Sequence, residues 1–241
     1  MPTAALLVIG NEILSGKVVD TNSPFLATEL RELGVDLERI LTIPDEIELI
    51  AHEVRTLSEA YDFVFTSGGI GPTHDDLTMD AIALAFDREL ELNQSMVERM
   101  ERHQRTPANE SQRKMALIPS GSQVIDAGDL WFPVVIVENV HIFPGIPQLL
   151  QKKFRSIRDR FRGVPFQLAR VYVKQRESDI ADHLNDLLKE FPELMLGSYP
   201  KIGEPDFSVL LTLESRDADY LSRAQDSLLA RLDDDAVFKV E

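Results

Sequence analysis

Cysteine is absent from the 241 residues. That excludes disulfides, thiolate nucleophiles and Cys-ligated zinc, and agrees with a reducing compartment. Any metal must therefore be held by Asp, Glu, His or carbonyl oxygens. No apolar run reaches the length that spans a bilayer, and the opening Met1-Pro2-Thr3-Ala4-Ala5-Leu6-Leu7 has no basic n-region. A cytoplasmic chain with no membrane partner is expected. Basic residues are the minority, 25 Lys and Arg against 41 Asp and Glu, for a net charge of −16. Affinity for a nucleic-acid backbone comes largely from Lys and Arg displacing counterions, so nucleic acid is not an expected partner. The same charge repels an anionic small molecule unless the site supplies amide dipoles, a few basic side chains or a divalent cation. The five histidines fall in unrelated contexts, and no Ser/His/Asp nucleophile system emerges.

What the chain does have is a glycine-rich turn ending in two carboxylates, Gly68-Gly69-Ile70-Gly71-Pro72-Thr73-His74-Asp75-Asp76. The apolar run Tyr61 to Phe65 before it reads as a buried strand, and the Ala- and Leu-rich Met79 to Phe86 after it as a helix. Strand, glycine turn and helix is a setting in which α/β folds bind anions. The turn does not complete the dinucleotide fingerprint, because His74 stands where a third glycine is needed. Gly10 to Val18 likewise misspaces its glycines for a P-loop and has Val18 where Ser or Thr is required.

The rest of the chain alternates strands and helices. Strands at residues 4 to 10, 36 to 43 and 61 to 65 alternate with helices after Ser23-Pro24 and near Glu46 to Ala60. These imply an α/β fold with a mainly parallel sheet covered on both faces. Ser23 is read as an N-cap with Pro24 at the first helical position, and Asp45 with Glu48 as a capping box. Helices follow near Asn93 to His103 and Asn109 to Ala116, then an extended piece at Leu117 to Ile125. A hairpin-like pair, Phe132 to Glu138 and Val140 to Phe143, turning near Glu138-Asn139, precedes Pro144-Gly145-Ile146-Pro147 and a helix to about Arg162. Turn formers at Gly163-Val164-Pro165 mark a boundary, giving domains at 1–165 and 166–241. The second reads strand, helix, strand, strand, helix, strand, a small α+β module. Its 9 basic and 16 acidic residues from Gln167 onward do not suit a nucleic-acid reader.

Asp75 and Asp76 could simply cap a helix and complement its dipole. Beside a phosphate cradle, however, two carboxylates oppose an anion by about 4 kcal/mol for one charge pair at 4 Å and an effective dielectric near 20. A divalent cation reverses that sign, and Mg²⁺ characteristically uses one or two carboxylates plus phosphate oxygens and water. Asp45 lies at the carboxyl end of a strand, where open α/β sheets place ligands. Glu12, Asp20 and Asn22 follow the first strand on the same expected edge, where Asn22 or Thr21 could instead simply initiate the helix. Arg113 and Lys114 could compensate phosphate charge or face solvent.

Gly10-Asn11-Glu12-Ile13-Leu14-Ser15-Gly16 with Asp20-Thr21-Asn22, then Pro44-Asp45, Gly68 to Thr78 and Phe143-Pro144-Gly145-Ile146-Pro147, together resemble the molybdopterin-binding-like domain of the competence/damage-inducible CinA family. Phe132 to Val140 looks closer to the corresponding domain of eukaryotic FAD synthases. The resemblance covers about residues 1 to 165; the module after it resembles the small KH-like domain of that family. The chain ends before the amidase domain of full-length CinA proteins could begin, so that activity is not implied.

The resemblance implies a three-layer αβα domain that hydrolyses a nucleoside diphosphate linkage, in ADP-ribose or FAD, and releases AMP. It implies a divalent metal (Mg, Mn or Co), with K as a further ion, held by Asp75 and Asp76. Asp45 and Asp76 take the catalytic roles, while Gly68, Gly69, Gly71, Thr73, Glu12, Asn22, Pro144 and Gly145 hold phosphate and ligand. Related domains commonly associate, so a homo-oligomer is expected. The rival reading is a protein of molybdenum-cofactor assembly that binds a phosphorylated pterin without hydrolysing dinucleotides.

Overall fold

The first strand, β1 (Thr3–Ile9), is buried along almost its whole length, as expected of a strand covered by helices on both faces. A computed structural model describes every residue except Asp129, Trp131 and Asp234. The chain forms two units, Met1–Gly163 and Val164–Glu241.

In the first unit β1 is followed by α1 (Asn11–Leu14), α2 (Asn22–Glu32), β2 (Asp36–Ile43), α3 (Ile47–Ala60), β3 (Phe63–Ser67) and α4 (Thr78–Ala85). Next come β4 (Leu90–Leu92), α5 (Gln94–Gln104), α6 (Glu110–Lys114), β5 (Leu117–Pro119), β6 (Gln123–Ile125), β7 (Val134–Val137), β8 (Val140–Phe143) and α7 (Pro147–Ile157). The main sheet runs β2-β1-β3-β8-β7-β6. Strands β2, β1, β3 and β8 are parallel, and β7 joins β8 and β6 antiparallel. The expected Leu117 to Ile125 piece breaks in two, β5 pairing with β4 in a separate ribbon and β6 closing the main sheet.

Alternation along β1 builds the two cores. Ala5, Leu7 and Ile9 pack with Ile50, Val54 and Leu57 of α3 and Ala81 and Ile82 of α4. Ala4, Leu6 and Val8 face Leu26 and Leu30 of α2 and Leu150, Phe154 and Ile157 of α7. The result is the three-layer αβα arrangement that the alternating elements imply.

Neither the Ser23 cap nor the Asp45–Glu48 capping box read from the sequence starts its helix, and at α2 the alternative start at Thr21 and Asn22 holds. The α2 helix begins at Asn22, one residue before Ser23, because the Asp20 carboxylate accepts from the N–H groups of Asn22 (2.9 Å) and Ser23 (3.0 Å). The Asp45–Glu48 capping box does not form. Asp45 Oδ2 instead accepts from Asn11 N–H at 2.8 Å, tying the end of β2 to the start of α1.

The second unit orders β9 (Gln167–Val173), α8 (Glu177–Glu190), β10 (Met195–Pro200), β11 (Val209–Ser215), α9 (Ala218–Leu229) and β12 (Val237–Val240). These are the strands and helices read from the sequence. Its antiparallel sheet runs β10-β11-β9-β12, so the small α+β module takes the split βαβ order. Among the described residues, no helix is long and apolar enough to cross a membrane.

Candidate functional site

Three parallel strands end side by side, and the segments leaving them form a cavity of about 400 Å³. β1 delivers Glu12, β3 delivers Gly68 to Pro72 and Asp76, and β8 delivers Pro144, Gly145, Ile146, Leu149 and Lys153; Met115, Leu130 and Phe132 are the other described residues of the lining. The volume falls within the ~300–1,000 Å³ of small-molecule sites, and the carboxyl edge of a parallel sheet is where such sites occur.

The glycine turn is held in place by bonds that only its sequence permits. Gly68 (φ +112°) and Gly69 (φ +64°) occupy the left-handed region. A Cβ on Gly68 would stand 2.1 Å from Ile9 O, so the turn can lie against the end of β1 only without a side chain there. Gly68 N–H donates to Phe143 O at 3.2 Å, and the Thr78 hydroxyl donates to Gly68 O at 3.0 Å.

Asp76 closes the turn. Its Oδ1 accepts from Gly71 N–H at 2.6 Å, and its Oδ2 accepts from Thr73 N–H at 2.8 Å and from the Thr73 hydroxyl. Asp76 therefore binds backward into the loop rather than capping α4, which carries no side-chain cap. Lys114 Nζ donates to Thr73 O at 2.9 Å and to Asp76 O at 3.5 Å, so this lysine braces the turn from outside. Of the three glycines assigned to phosphate, Gly68 and Gly71 already spend their N–H groups on Phe143 O and Asp76. Gly69 and Ile70 are the lining residues of the turn whose amides are not committed to these bonds.

The cavity thus gathers Glu12, Gly68, Gly69, Gly71, Asp76, Pro144 and Gly145 from the residues singled out in the sequence. Asn22 sits next to it. Its side chain is buried and its Nδ2 donates to Ser67 Oγ (2.9 Å) and Gly145 O (2.8 Å), joining the end of β3 to the turn after β8. Asn22, Glu12, Asp20, Ser67 and Gly145 line a smaller adjoining cavity of about 50 Å³. Asp45, Thr73 and Asp75 do not line the main cavity. Asp45 is engaged with Asn11, Thr73 supports Asp76, and Asp75 is exposed with a carboxylate oxygen 3.9 Å from His74.

Among the described residues, Asp76 and Glu12 are the acids that reach the cavity, and no cluster of three or more His, Asp or Glu is placed to hold a metal. The donor set does not build an all-protein cage. A hard cation held there would have to take one or two carboxylates and complete its shell with phosphate oxygens and water.

Lys153 is the residue that sequence reading missed. It is 1% exposed, its Nζ donates to Pro133 O at 2.7 Å, and it lies 4.1 Å from the centroid of the Phe132 ring. Burial pushes its ammonium pKa down to about 7. The signal was present: Leu150, Lys153, Phe154 and Ile157 occupy one buried stripe of α7 at helical spacing, with an ionisable side chain where an aliphatic one belongs.

Comparison with known proteins agrees with this architecture. Residues 5–163 match the family described as "Probable molybdopterin binding domain", and residues 165–241 match "FAD synthase, middle domain". A protein of Archaeoglobus fulgidus is 36% identical over 221 residues, covering 91% of this chain and 93% of its own. A "Probable FAD synthase" of Caenorhabditis briggsae is 33% identical over 94% of this chain, which spans 49% of that relative's length. The crystal structure of CinA, of unknown function, from Thermoplasma acidophilum aligns with a TM-score of 0.62 at 26% identity, over 66% of this chain and 97% of that one. The chain belongs to the "Probable molybdopterin binding domain" family, as a CinA-like member that carries an FAD synthase middle domain behind it.

Proposed function

We propose that the cavity binds a nucleoside diphosphate and hydrolyses its diphosphate linkage, releasing AMP from ADP-ribose or FAD. The observation that carries this reading is the co-assembly of a glycine turn, two acids and an apolar lobe at one sheet edge. Support comes also from the relative named as an FAD synthase, which matches nearly the whole chain.

In this reading Gly69 and Ile70 present backbone to the phosphates, and Asp76 keeps the turn closed around them. Met115, Leu130, Phe132, Ile146 and Leu149 form an apolar wall that receives the flat ring and excludes water from the reacting end. Asp76 and Glu12 are the residues that would hold a divalent cation; when bound, such a cation offsets phosphate charge and acidifies water.

Product analysis by chromatography tests it, with FAD and ADP-ribose incubated separately with and without Mg²⁺, Mn²⁺ or Co²⁺. Metal-dependent AMP release that is lost in Asp76→Ala is expected. Turnover unchanged in a folded Asp76→Ala protein contradicts it. A second reading, binding of a phosphorylated pterin without hydrolysis, is favoured by the family description and by the engagement of both Asp76 oxygens inside the loop. It predicts tight pterin binding and no AMP.

A further inference from the structure

The cavity sets a charge problem. Its lining carries Glu12 and Asp76, the chain as a whole carries −16, and the proposed ligand is an anion. Lys153 is the basic side chain in that lining, and its surroundings are unusual for a lysine. The side chain is 1% exposed, Pro133 O takes one of its donors at 2.7 Å, and the Phe132 ring lies 4.1 Å from Nζ.

The charged groups facing Lys153 are few. Across the cavity stand Glu12, just beyond β1, and Asp76 of the glycine turn; the 130–133 segment offers only Leu130, Phe132 and Pro133 among its described residues. Arg155 of α7 and Arg158, just past its end, are paired with Glu29 of α2, at 3.2 and 2.9 Å. No carboxylate is bonded to Lys153 Nζ in the ion pairs of the described residues. An ammonium in that position has donors to spare and, among the described residues, no carboxylate bonded to it, so an anionic group entering the cavity would supply a counter-charge.

We propose that Lys153 is the charge partner of the ligand's anionic group, and that an anionic nucleotide binds with uptake of a proton by this side chain. The proposal rests on the nucleotide reading given above and deepens it by assigning recognition of negative charge to a residue of α7. Burial holds the amine near neutrality in the free protein, with a pKa of about 7. Binding of an anion restores the ammonium. The site then charges only when a ligand is present, which limits the desolvation cost of a permanent buried cation.

The test is calorimetric titration of the full chain with AMP and with adenosine, in Mg²⁺ at pH 8, using two buffers of different ionisation enthalpy. AMP is the product of the proposed reaction, so binding is read without turnover. Buffer-dependent heat corresponding to about one proton taken up per AMP is expected from the wild type, and none with adenosine. In Lys153→Met the uptake vanishes and AMP affinity falls roughly tenfold, the order set by losing one charge contact, while adenosine affinity is unchanged. Lys153→Arg, permanently charged, is expected to bind AMP without uptake, which separates charge from shape. AMP binding with no buffer dependence, and equal affinity in wild type and Lys153→Met, overturns the role of Lys153 and leaves the nucleotide reading standing. Failure of the wild type to bind either compound overturns both.

Discussion

Replacing Lys153 by Met should change the pH dependence of folding stability in a calculable way. The amine titrates at about 7 in the folded protein against 10.5 when unperturbed, because burial penalises its charged form. Between those values the unfolded chain binds the proton that the folded chain has lost, so stability rises with pH across that window and the full penalty applies below about pH 7. With 1.36 kcal/mol per pKa unit, the wild type should gain about 2 kcal/mol from this one group between pH 7 and pH 9. Methionine carries the same length of apolar chain and no charge, and thus removes that gain. It leaves Pro133 O without its donor, a cost of about 1 kcal/mol that does not depend on pH. Urea unfolding followed by the fluorescence of the single tryptophan, Trp131, which lies in the sequence of the first unit, supplies the two stability profiles. Their difference should close by about 2 kcal/mol from pH 7 to pH 9. Parallel profiles would show that Lys153 is charged in both states and sink the argument from burial.

Three further perturbations follow from the geometry. Gly68→Ala places a Cβ 2.1 Å from Ile9 O at a φ of +112° and should destabilise the first unit by roughly 3 kcal/mol or more; an unchanged urea midpoint contradicts the turn described. His141, held near a pKa of about 4 by burial, should cost stability as pH falls from about 6.5 to 4, reaching about 3 kcal/mol at the acid end. An NMR titration that finds its midpoint near 6.5 refutes this. Asn22→Ala removes the bonds to Ser67 Oγ and Gly145 O and should cost about 2 kcal/mol, seen as faster amide exchange at the ends of β3 and β8; protection equal to wild type would mean that the two turns are joined by other contacts.

Much of the fold was legible because local signals and packing agree. Alternating strands and helices gave the layered sheet, and Glu138-Asn139 marked the hairpin between β7 and β8. Where side chains choose between partners, the sequence was silent. Asp45 and Asp76 both looked like helix-cap residues, yet one bonds to Asn11 and the other folds back to Gly71 and Thr73. Those partners are set by where neighbouring turns meet, not by local spacing. The glycine turn, Glu12 and the Pro144-Gly145 turn announced themselves through backbone requirements and position after strands. Lys153 did not, because the length and termini of α7 do not specify which of its faces is buried. The ribbon formed by β4 and β5 escaped because three-residue strands are too short to show a period.

The most direct test of the nucleotide hydrolysis proposed for the cavity is chromatographic detection of AMP after incubating the purified chain with FAD or ADP-ribose, with each divalent cation and with EDTA. Cation-dependent AMP release, abolished in Asp76→Ala and weakened in Glu12→Gln, is the predicted result. Intact FAD and ADP-ribose under every cation, alongside tight binding of a phosphorylated pterin, would contradict it.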